Sequence, residues 1–540
     1  MAWFERSHLR VMRNFLLLIA FFLMIHSALA ETPKRAMVLV FDQMRAEYID
    51  RFDLPNFQRA QKMGLNFDNG FVGHLESNTI ISHPVITTGL LPGNFAWGSQ
   101  IMRDDRGLVG PKGLFYMPAR LTPEEWMALH LETSKDSSLI ARVKEVNAGP
   151  SFVVAQKEYA AFNFGGPYAD SIICLSDPIE SGPFQGYHQI GGFNVPDYID
   201  QPVGNRFYLE ATNDWGSGQE RYGLTGSGYV RGLDPNRPGG DRWVGDVVEE
   251  VMQNEPNWST IFASFGAIDK VSHVLAEHQE PTTRDWALEH GINLEDTLRL
   301  ADRELGRILT RLQRSGLAEE TVIVITADHG GQKNAVFHGR MDGLTHRDDT
   351  YYGSGPNFDF SQNPNPVFEP LMATGKVQAM SLDTVILVWT DDMTATEREI
   401  FAIEMSRLPG VAEVYAQEPT GTYSRRHRSN KLGGQELAWA EVHNRDLANS
   451  LSGPGAPDFQ AMLFNDNGYG LIGAHGGAQE LVQRIPMILI APNLVRQGSR
   501  SQAWVRLVDI NAMVGRVMKL PSHSLLDGTS EPVEPFLETR

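Results

Sequence analysis

Aspartate and histidine directly after short apolar runs are the residues in this sequence best suited to metal chemistry. The apolar run 321–326 is followed by Asp328 and His329, and two glycines come next. Carboxylate oxygens and imidazole nitrogens are zinc ligands, and glycines let the backbone approach a bound ion closely. An isolated Asp-His pair is more often part of a surface loop, so this motif alone leaves both interpretations open.

Four further candidate ligands lie elsewhere in the chain. Asp269 and His273 are four residues apart, which puts both side chains on one face of a helical turn. His475 lies in a glycine-rich segment that leaves its imidazole accessible, and Asp42 ends the apolar run 36–41. Singly, the first pair is more often a helical ion pair and His475 can be an ordinary turn residue. Together, these residues predict a metal centre.

Thr79 is the candidate nucleophile. It follows Asn78 in a segment that predicts a helix beginning near Thr79. The dipole at a helix N-terminus favours both an alkoxide and a bound phosphoryl group. The alternative is that Thr79 is only a helix cap, which is the commonest role of such a residue.

Short β-branched runs predict the strands that position these residues. The runs 36–41, 258–265 and 321–326 lack polar alternation, which is typical of strands buried on both faces of a parallel sheet. Residues 294–312 have the apolar spacing of a helix. Alternating strands and helices predict an α/β sandwich with a mostly parallel central sheet, whose ligands bind at the carboxyl ends of the strands.

Two regions interrupt this alternation. Residues from about 160 to 240 are rich in Gly, Pro, Asn and aromatic residues and show little periodicity. Residues from about 333 to 465 open with a Gly/Asn/Asp/Pro-rich stretch and then predict a strand at 385–389, a helix at 395–408 and a strand at 411–415. We interpret both as insertions that cap the site, so that residues 31–540 form a single domain.

The first thirty residues predict a secretory signal peptide. Arg6, Arg10 and Arg13 precede the apolar run 15–25, and an A-x-A sequence ends at Ala30. Cleavage there implies an exported protein, either periplasmic or secreted. An uncleaved membrane anchor is the alternative, although the run is shorter than the ~20 residues of a membrane span. Because no later stretch is long and apolar enough to cross a bilayer, we expect no stable membrane insertion after cleavage.

Composition narrows the range of partners. The net charge of −19 argues against binding to duplex nucleic acid, which relies mainly on Lys and Arg. It is compatible with an anionic small molecule, because bound metal ions reverse the local field. Cys174 is the only cysteine, which excludes an intrachain disulfide and a cysteine-based zinc site, and its apolar neighbours predict a core position.

The order of these motifs resembles the alkaline phosphatase superfamily, in particular the branch of type I phosphodiesterases, nucleotide pyrophosphatases and phosphate-irrepressible alkaline phosphatases. Thr79, His83, Thr88-Gly89 and Pro92 are similar to that branch's nucleophile segment, T-x-x-x-H…TG…P. Residues 326–330 match its T-A-D-H-G, and residues 474–477 are similar to its G-T-H-G-S. The resemblance extends from about residue 35 to residue 500.

The resemblance implies an alkaline-phosphatase-like fold and a two-metal hydrolase of small phosphoesters with a phospho-threonine intermediate. It implies two zinc ions, although the residue types alone also permit manganese or iron. The implied ligands of one ion are Asp42, Thr79, Asp328 and His329, and those of the other are Asp269, His273 and His475.

Two departures from the family pattern bear on the substrate. Where this branch has an asparagine that contacts the phosphoryl oxygens, the chain has Gln100, whose amide reaches one methylene farther. Where the monoesterases have Lys-x-Arg, the chain has Lys157 and Tyr159, so the match is half made. An ammonium at Lys157 favours a phosphomonoester dianion, with phosphodiester or nucleotide pyrophosphate hydrolysis as the alternative. A solvated loop position for Lys157 is the structural alternative.

Other functions fit the sequence less well. A sulfatase of the same fold needs a Cys or Ser within C/S-x-P-x-R, and neither Cys174 nor Thr79 has that context. Phosphoethanolamine transferases share the metal ligands but usually carry membrane spans. A non-catalytic metal- or ligand-binding protein remains an alternative, against which the intact Thr79 argues.

Overall fold

The computed structural model describes residues 32–95, 97–134, 137–178, 186–199, 208–209, 240–275, 294–338, 350–361, 365–469 and 473–538. The predicted signal peptide, residues 1–30, lies outside the described residues, as does most of the region from 200 to 239. Among the described helices, none combines the length and the apolar composition that a membrane span needs.

A ten-stranded sheet forms the centre of the described fold. In spatial order its strands are Ser499–Arg506, Leu65–Phe71, Met487–Ile490, Thr321–Thr326, Arg35–Phe41, Thr260–Phe265, Ser151–Ala155, Ser171–Pro178, Gly186–Phe193 and Tyr208–Leu209. The five strands from Thr321–Thr326 to Ser171–Pro178 are parallel to one another. The side chains of Arg35–Phe41, Thr260–Phe265 and Thr321–Thr326 are all buried, as expected of parallel strands covered on both faces. The predicted mostly parallel α/β fold is therefore confirmed.

Helices flank this sheet, and several begin directly after one of its strands. The longest, Leu294–Arg314, buries Leu298, Leu305 and Leu309 in the main core. The α-helices of the described residues are Tyr48–Arg51, Pro55–Met63, Thr79–Thr88, Pro92–Phe95, Pro123–Ser134, Leu139–Lys144, Glu158–Gly165, Gly240–Asn254, Ala267–Leu275, Leu294–Arg314, Glu369–Met372, Ala395–Ser406, Gly434–Asn449, Glu480–Gln483 and Asp509–Met518.

The described part of the region 333–465 forms a second, antiparallel sheet of six strands. Its strands in spatial order are Tyr351–Tyr352, Val377–Leu382, Val385–Thr390, Phe459–Leu463, Val411–Gln417 and Tyr423–Arg428. The predicted helix from 395 to 408 ends instead at Ser406, because Pro409 and Gly410, with φ of 79°, cannot continue it. Short paired strands complete the described structure: Met102–Arg103 with Phe115–Tyr116, Gln332–Lys333 with Gly473–Ala474, Val336–Phe337 with Asn467–Gly468, and Ser354–Gly355 with Phe358–Asp359.

The first part of the predicted insertion from 160 to 240 has more regular structure than its composition indicates. The strands Ser171–Pro178 and Gly186–Phe193 extend the central sheet rather than covering it. Parallel pairing of Ser171–Pro178 with Ser151–Ala155 explains why its apolar run lacks alternation. Cys174 lies on this strand and is fully buried, as predicted.

Candidate active site

Three neighbouring strands bring the predicted acidic residues to one edge of the sheet. Val40 lies opposite both Thr326 and Ser264, so the strands Arg35–Phe41, Thr321–Thr326 and Thr260–Phe265 end at the same level. Asp42 follows the first strand at once, and its backbone N–H donates to the carbonyl of Phe265. This pairing fixes the level at which the Asp42 carboxylate leaves the sheet.

The other ligands come from the segments that follow these strands. Asp328 and His329 come just after Thr321–Thr326, and the helix Ala267–Leu275 carries Asp269 and His273. His475 arrives from a different part of the chain, after the short strand Gly473–Ala474. All six predicted ligands other than Thr79 are buried, with 0–6% of their surface exposed.

A backbone carbonyl orients each of the three imidazoles. The Nδ1 atoms of His273, His329 and His475 lie 2.6 Å, 3.0 Å and 3.2 Å from the carbonyl oxygens of Gly473, Gly330 and Ser77, respectively. A carbonyl only accepts, so these contacts assign the proton to Nδ1. Each Nε2 is left as a free lone pair directed into the site, which is the arrangement that metal-ligating histidines use.

The ligand atoms converge at distances that suit a bound cation. His273 Nε2 and His475 Nε2 lie 3.1 Å and 3.4 Å from Asp269 Oδ1, and 3.2 Å from each other. His329 Nε2 lies 3.4 Å from Asp42 Oδ1 and 3.4 Å from Asp328 Oδ2. Tetrahedral bonds of ~2.0–2.2 Å place neighbouring ligand atoms roughly 3.3–3.6 Å apart. The observed spacing is close to that range.

Unsatisfied polar atoms mark where cations would bind. Asp42 Oδ1, Asp328 Oδ2 and His329 Nε2 are buried and have no hydrogen-bond partner among the described residues. Two triads have ligand atoms within 4.8 Å of one another: Asp42, Asp328 and His329, and Asp269, His329 and His475. Since buried acceptors without donors are costly, this donor set fits two metal ions. His329 is within reach of both groups.

Burial changes the protonation equilibria of the site residues. Burial lowers the pKa of both His329 and His475 to about 3, so both imidazoles are neutral near pH 7. Burial, together with the neighbouring carboxylates, raises the pKa of Asp42 well above its usual value and that of Asp328 to about 6. A cation bound beside them would lower the pKa of both carboxyl groups and favour their ionised, ligating form.

Thr79 lies at the first position of the helix Thr79–Thr88, as predicted. The alternative cap role belongs to Asn78, whose side chain accepts from the backbone N–H of Ile81. The hydroxyl of Thr79 donates to Asp42 Oδ2 at 3.3 Å. His83 contacts the carbonyl of Thr79 through Nδ1 at 2.8 Å and the hydroxyl of Ser264 through Nε2 at 2.9 Å, which ties this helix to the central sheet.

Lys157 is buried inside the site and is not a solvated loop residue. It follows the strand Ser151–Ala155, and its Nζ donates to Asp42 Oδ2 at 2.6 Å, to Asp269 Oδ2 at 2.7 Å and to Thr79 Oγ1 at 3.3 Å. Burial opposes the ammonium charge, but Asp269 and Asp42 outweigh it and hold the pKa of Lys157 well above its usual value. The ammonium therefore lies between the two ligand groups.

The other two predicted substrate-binding residues lie at the margin of the site. The side-chain oxygen of Gln100 accepts from the hydroxyl of Tyr351 at 2.6 Å, and the described contacts of Gln100 run to Tyr351 and Glu76 rather than to Thr79. Tyr351 belongs to the second sheet, which thereby reaches the site. The ring of Tyr159 is half-buried, with its centroid 6.0 Å from Lys157 Nζ.

Two buried carboxyl groups near His475 have no counterpart in the sequence analysis. Glu76 Oε1 accepts from the hydroxyls of Ser99 and Ser381, and burial raises the pKa of Glu76 to about 7. Burial and the charge of Glu76 raise the pKa of Asp383 well above its usual value. A Cβ at Gly476 would lie 3.8 Å from Glu76 Oε2 and 3.9 Å from Asp383 Oδ2, so both groups adjoin the loop that presents His475. The left-handed backbone of Glu76, with φ of 54°, is visible only in the structure.

The fold and part of the sequence are similar to known phosphoesterases. The sequence model of the type I phosphodiesterase / nucleotide pyrophosphatase family matches residues 36–96 and 206–376. No curated protein matches the chain in sequence.

Two solved structures illustrate the similarity in fold. Wild-type alkaline phosphatase PafA has a TM-score of 0.58 at 14% identity, covering 94% of this chain and 99% of its own. Murine ectonucleotide pyrophosphatase / phosphodiesterase 5 has a TM-score of 0.51 at 13% identity, covering 93% of this chain and 100% of its own. Because the sequence identity is so low, these similarities establish the fold alone.

Proposed function

We propose that the chain is a phosphoric ester hydrolase of the alkaline phosphatase superfamily and that it acts by the mechanism below; the partial match to the type I phosphodiesterase / nucleotide pyrophosphatase family and the similarity in fold support this. In this mechanism, a two-metal centre binds the ester and Thr79 is the nucleophile. The observation that carries the proposal is the convergence of three imidazole Nε2 atoms and three carboxylates beside the Thr79 hydroxyl. Three of their atoms, Asp42 Oδ1, Asp328 Oδ2 and His329 Nε2, lack a hydrogen-bond partner among the described residues.

Two groups of residues would hold the metal ions. One comprises Asp42, Thr79, Asp328 and His329, and the other Asp269, His273 and His475. Bound metal ions supply Lewis acidity, which lowers the pKa of a coordinated hydroxyl and stabilises the oxygens that gain charge in an in-line displacement. Ligation by nitrogen and oxygen alone suits zinc, and manganese or iron is compatible with the same residues.

In the first step, Thr79 Oγ1 attacks the phosphorus atom. The bond from phosphorus to the leaving oxygen breaks, and the leaving group takes that electron pair, which yields a phospho-threonine. The hydrogen bond from Thr79 to Asp42 Oδ2 gives the hydroxyl proton an acceptor. The position of Thr79 at the N-terminus of a ten-residue helix stabilises the negative charge on both the nucleophile and the phosphoryl group.

In the second step, water attacks the phosphorus atom of the phospho-threonine. The bond from phosphorus to Thr79 Oγ1 breaks, one proton of the water passes to Oγ1, and the hydroxyl remains on phosphorus in the phosphate product, which leaves. The proton that Asp42 accepted in the first step goes to the leaving group. His83 holds the carbonyl of Thr79 throughout, so the hydroxyl returns to the same position for the next cycle.

Lys157 supports a preference for monoesters. A monoester carries two negative charges on its non-bridging oxygens, one more than a diester, and these oxygens need donors from the protein. The ammonium of Lys157 lies 3.3 Å from the nucleophilic oxygen, close enough to reach such a phosphoryl group. Gln100 and Tyr159, at the margin of the site, would add neutral donors once a substrate draws them inward.

Diester or pyrophosphate hydrolysis is the second candidate function. The matched family is that of type I phosphodiesterases and nucleotide pyrophosphatases, and a similar structure is an inactive form of the murine phosphodiesterase 5 in complex with AMP. A diester replaces one charge with a second organic group, which gains little from an ammonium.

A comparison of substrates tests this choice. On zinc-loaded protein, we expect a larger kcat/KM for an aryl monoester than for the corresponding aryl diester. Lys157→Ala should lower kcat/KM for the monoester tenfold or more, since a lost charged hydrogen bond costs ~1.5–3 kcal/mol, and should barely change that for the diester. Lys62→Ala, which removes an exposed lysine outside the site, is the matched control. Equal losses on both substrates would mean that Lys157 does not recognise the second charge.

We also propose that the protein is exported, to the periplasm or the exterior, after cleavage at Ala30. The basic, apolar and A-x-A succession of residues 1–30 supports this. The expected partner is a small phosphoester.

A further inference from the structure

Gln43 connects the two groups of proposed metal ligands. It directly follows Asp42, and only 2% of its surface is exposed. Its backbone N–H donates to Asp328 Oδ1 at 3.2 Å, in the first ligand group. The side-chain amide is oriented so that its nitrogen can donate to the groups around it. That nitrogen lies 3.1 Å from Asp269 Oδ1 and 3.2 Å from the Asp269 carbonyl oxygen, in the second ligand group. One residue therefore orients one carboxylate of each group.

The backbone conformation of Gln43 makes this double contact possible. Its φ of 63° is in the left-handed region, which residues other than Gly, Asn and Asp rarely adopt. Turning the chain here, just after the strand Arg35–Phe41, directs the N–H towards Asp328 and leaves the side chain beside Asp269. Strained backbone of this kind persists where the surrounding contacts hold it, and it is common at functional sites.

Gly331 provides the space for the Gln43 amide. A Cβ at Gly331 would lie 2.0 Å from a terminal atom of the Gln43 amide, 2.7 Å from the amide carbon Cδ and 2.9 Å from Cγ. Any larger residue at this position displaces the amide from Asp269. Gly331, the second glycine after His329, therefore leaves room for the Gln43 amide as well as for close approach of the backbone.

We propose that Gln43 is a positioning residue whose side chain orients Asp269 for the metal ion held with His273 and His475. The inference rests on the proposed two-metal site. Partners that fix a ligating carboxylate commonly contribute ~10–100-fold to metal affinity. Because Asp328 is held by the backbone of Gln43, which a side-chain substitution leaves in place, only one of the two ions depends on the amide.

Zinc titration against a competing chelator tests the proposal on the full chain. Wild type should show two binding steps. Gln43→Ala should weaken one step ~10–100-fold and leave the other within about twofold. Gly331→Ala should weaken the same step. The double variant Gln43→Ala/Gly331→Ala should weaken that step no more than the single variant with the larger effect. In a His273→Ala background, Gln43→Ala should not alter the remaining step.

Gln460→Ala is the matched control for loss of a buried glutamine. Gln460 is fully buried on the second sheet, where its amide donates to the carbonyl of Ala448 at 3.2 Å. Gln460→Ala should lower the melting temperature and leave the zinc affinities of both binding steps unchanged. Two unchanged steps in Gln43→Ala, or equal weakening of both, would overturn the inference and leave the proposed function standing. A wild type that binds fewer than two zinc ions would overturn the proposed site itself.

Discussion

Replacing Lys157 with methionine removes the ammonium that lies among the site carboxylates. Met keeps most of the length and apolar volume of the side chain, so the change is mainly one of charge. The ammonium bonds to Asp42 and Asp269 at 2.6 Å and 2.7 Å, and both carboxylates are buried. Removing one partner of a buried ion pair costs ~3–5 kcal/mol, because the other charge is left unpaired. Metal-free Lys157→Met should lose about that much stability.

Bound metal ions should relieve most of this cost. Two divalent cations supply positive charge to Asp42, Asp269 and Asp328 in place of the lost ammonium. The stability of the zinc-loaded variant should therefore be much closer to that of zinc-loaded wild type. By thermodynamic linkage, every ~1.4 kcal/mol of relieved cost appears as roughly tenfold tighter metal binding by the variant. The assay is the shift in melting temperature, in chelator and in zinc. Lys62→Met, which changes an exposed lysine, is the control.

The decisive readout is how far the destabilisation by Lys157→Met depends on metal. A chain of this size is not expected to unfold in two states, so the comparison is between shifts rather than absolute free energies. Equal destabilisation of Lys157→Met with and without zinc would mean that no cation binds among these carboxylates, and would refute the argument.

Three other predictions concern Glu76, the histidine ligands and the N-terminus. Because the folded-state pKa of Glu76 is about 7 against a usual 4.5, its proton-linked stabilisation is complete below pH 4.5 and is lost as the pH rises through 7. Glu76→Gln should therefore stabilise the metal-free protein by ~3 kcal/mol at pH 8 and by little at pH 4.5, measured by denaturation at both values; a gain independent of pH would contradict the assignment. His329→Ala and His475→Ala should each lower the zinc content by elemental analysis, and retention of two equivalents with full activity in both would show that the site is misplaced. The mature chain from an exporting host should begin at Glu31 by mass spectrometry, and a retained Met1 would refute cleavage.

Residues tied to strand ends were predictable from the sequence. Asp42 and Asp328 follow uninterrupted β-branched runs, and such runs predict parallel strands whose carboxyl ends share one edge of a sheet. Asp269 and His273 needed only helical spacing to be paired. These local patterns suffice because the main chain sets the position of each side chain within a residue or two of a regular element.

Residues whose positions depend on distant contacts were not predictable. Gln43 follows the same strand as Asp42, but its role depends on a left-handed φ and on the space at Gly331, neither of which leaves a pattern in one sequence. Glu76 and Asp383 meet beside His475 only because the second sheet packs there. Gln100 has the right spacing from Thr79, yet its side chain is held by Tyr351 from that sheet.

The second sheet itself was only partly predicted. Its strands around 385–389 and 411–415 were identified from β-branched runs, and the structure extends them to Val385–Thr390 and Val411–Gln417. The edge strand Tyr423–Arg428 contains three arginines and a histidine, so it lacks an apolar run. It is stabilised instead by pairing with Val411–Gln417, a contact that spacing alone does not reveal.

The turnover of an aryl phosphate by Thr79→Ala is the most direct test of the central claim. With saturating zinc the variant should keep both ions, because Asp42, Asp328 and His329 remain to hold the ion that Thr79 helps to bind. Its melting temperature should stay near that of wild type, because only a methyl and a hydroxyl group are exchanged for hydrogens. Its kcat should fall by about a thousandfold or more, since the nucleophile is lost while the rest of the site remains. A Thr79→Ala enzyme that retains both ions and a near-normal kcat would contradict the account.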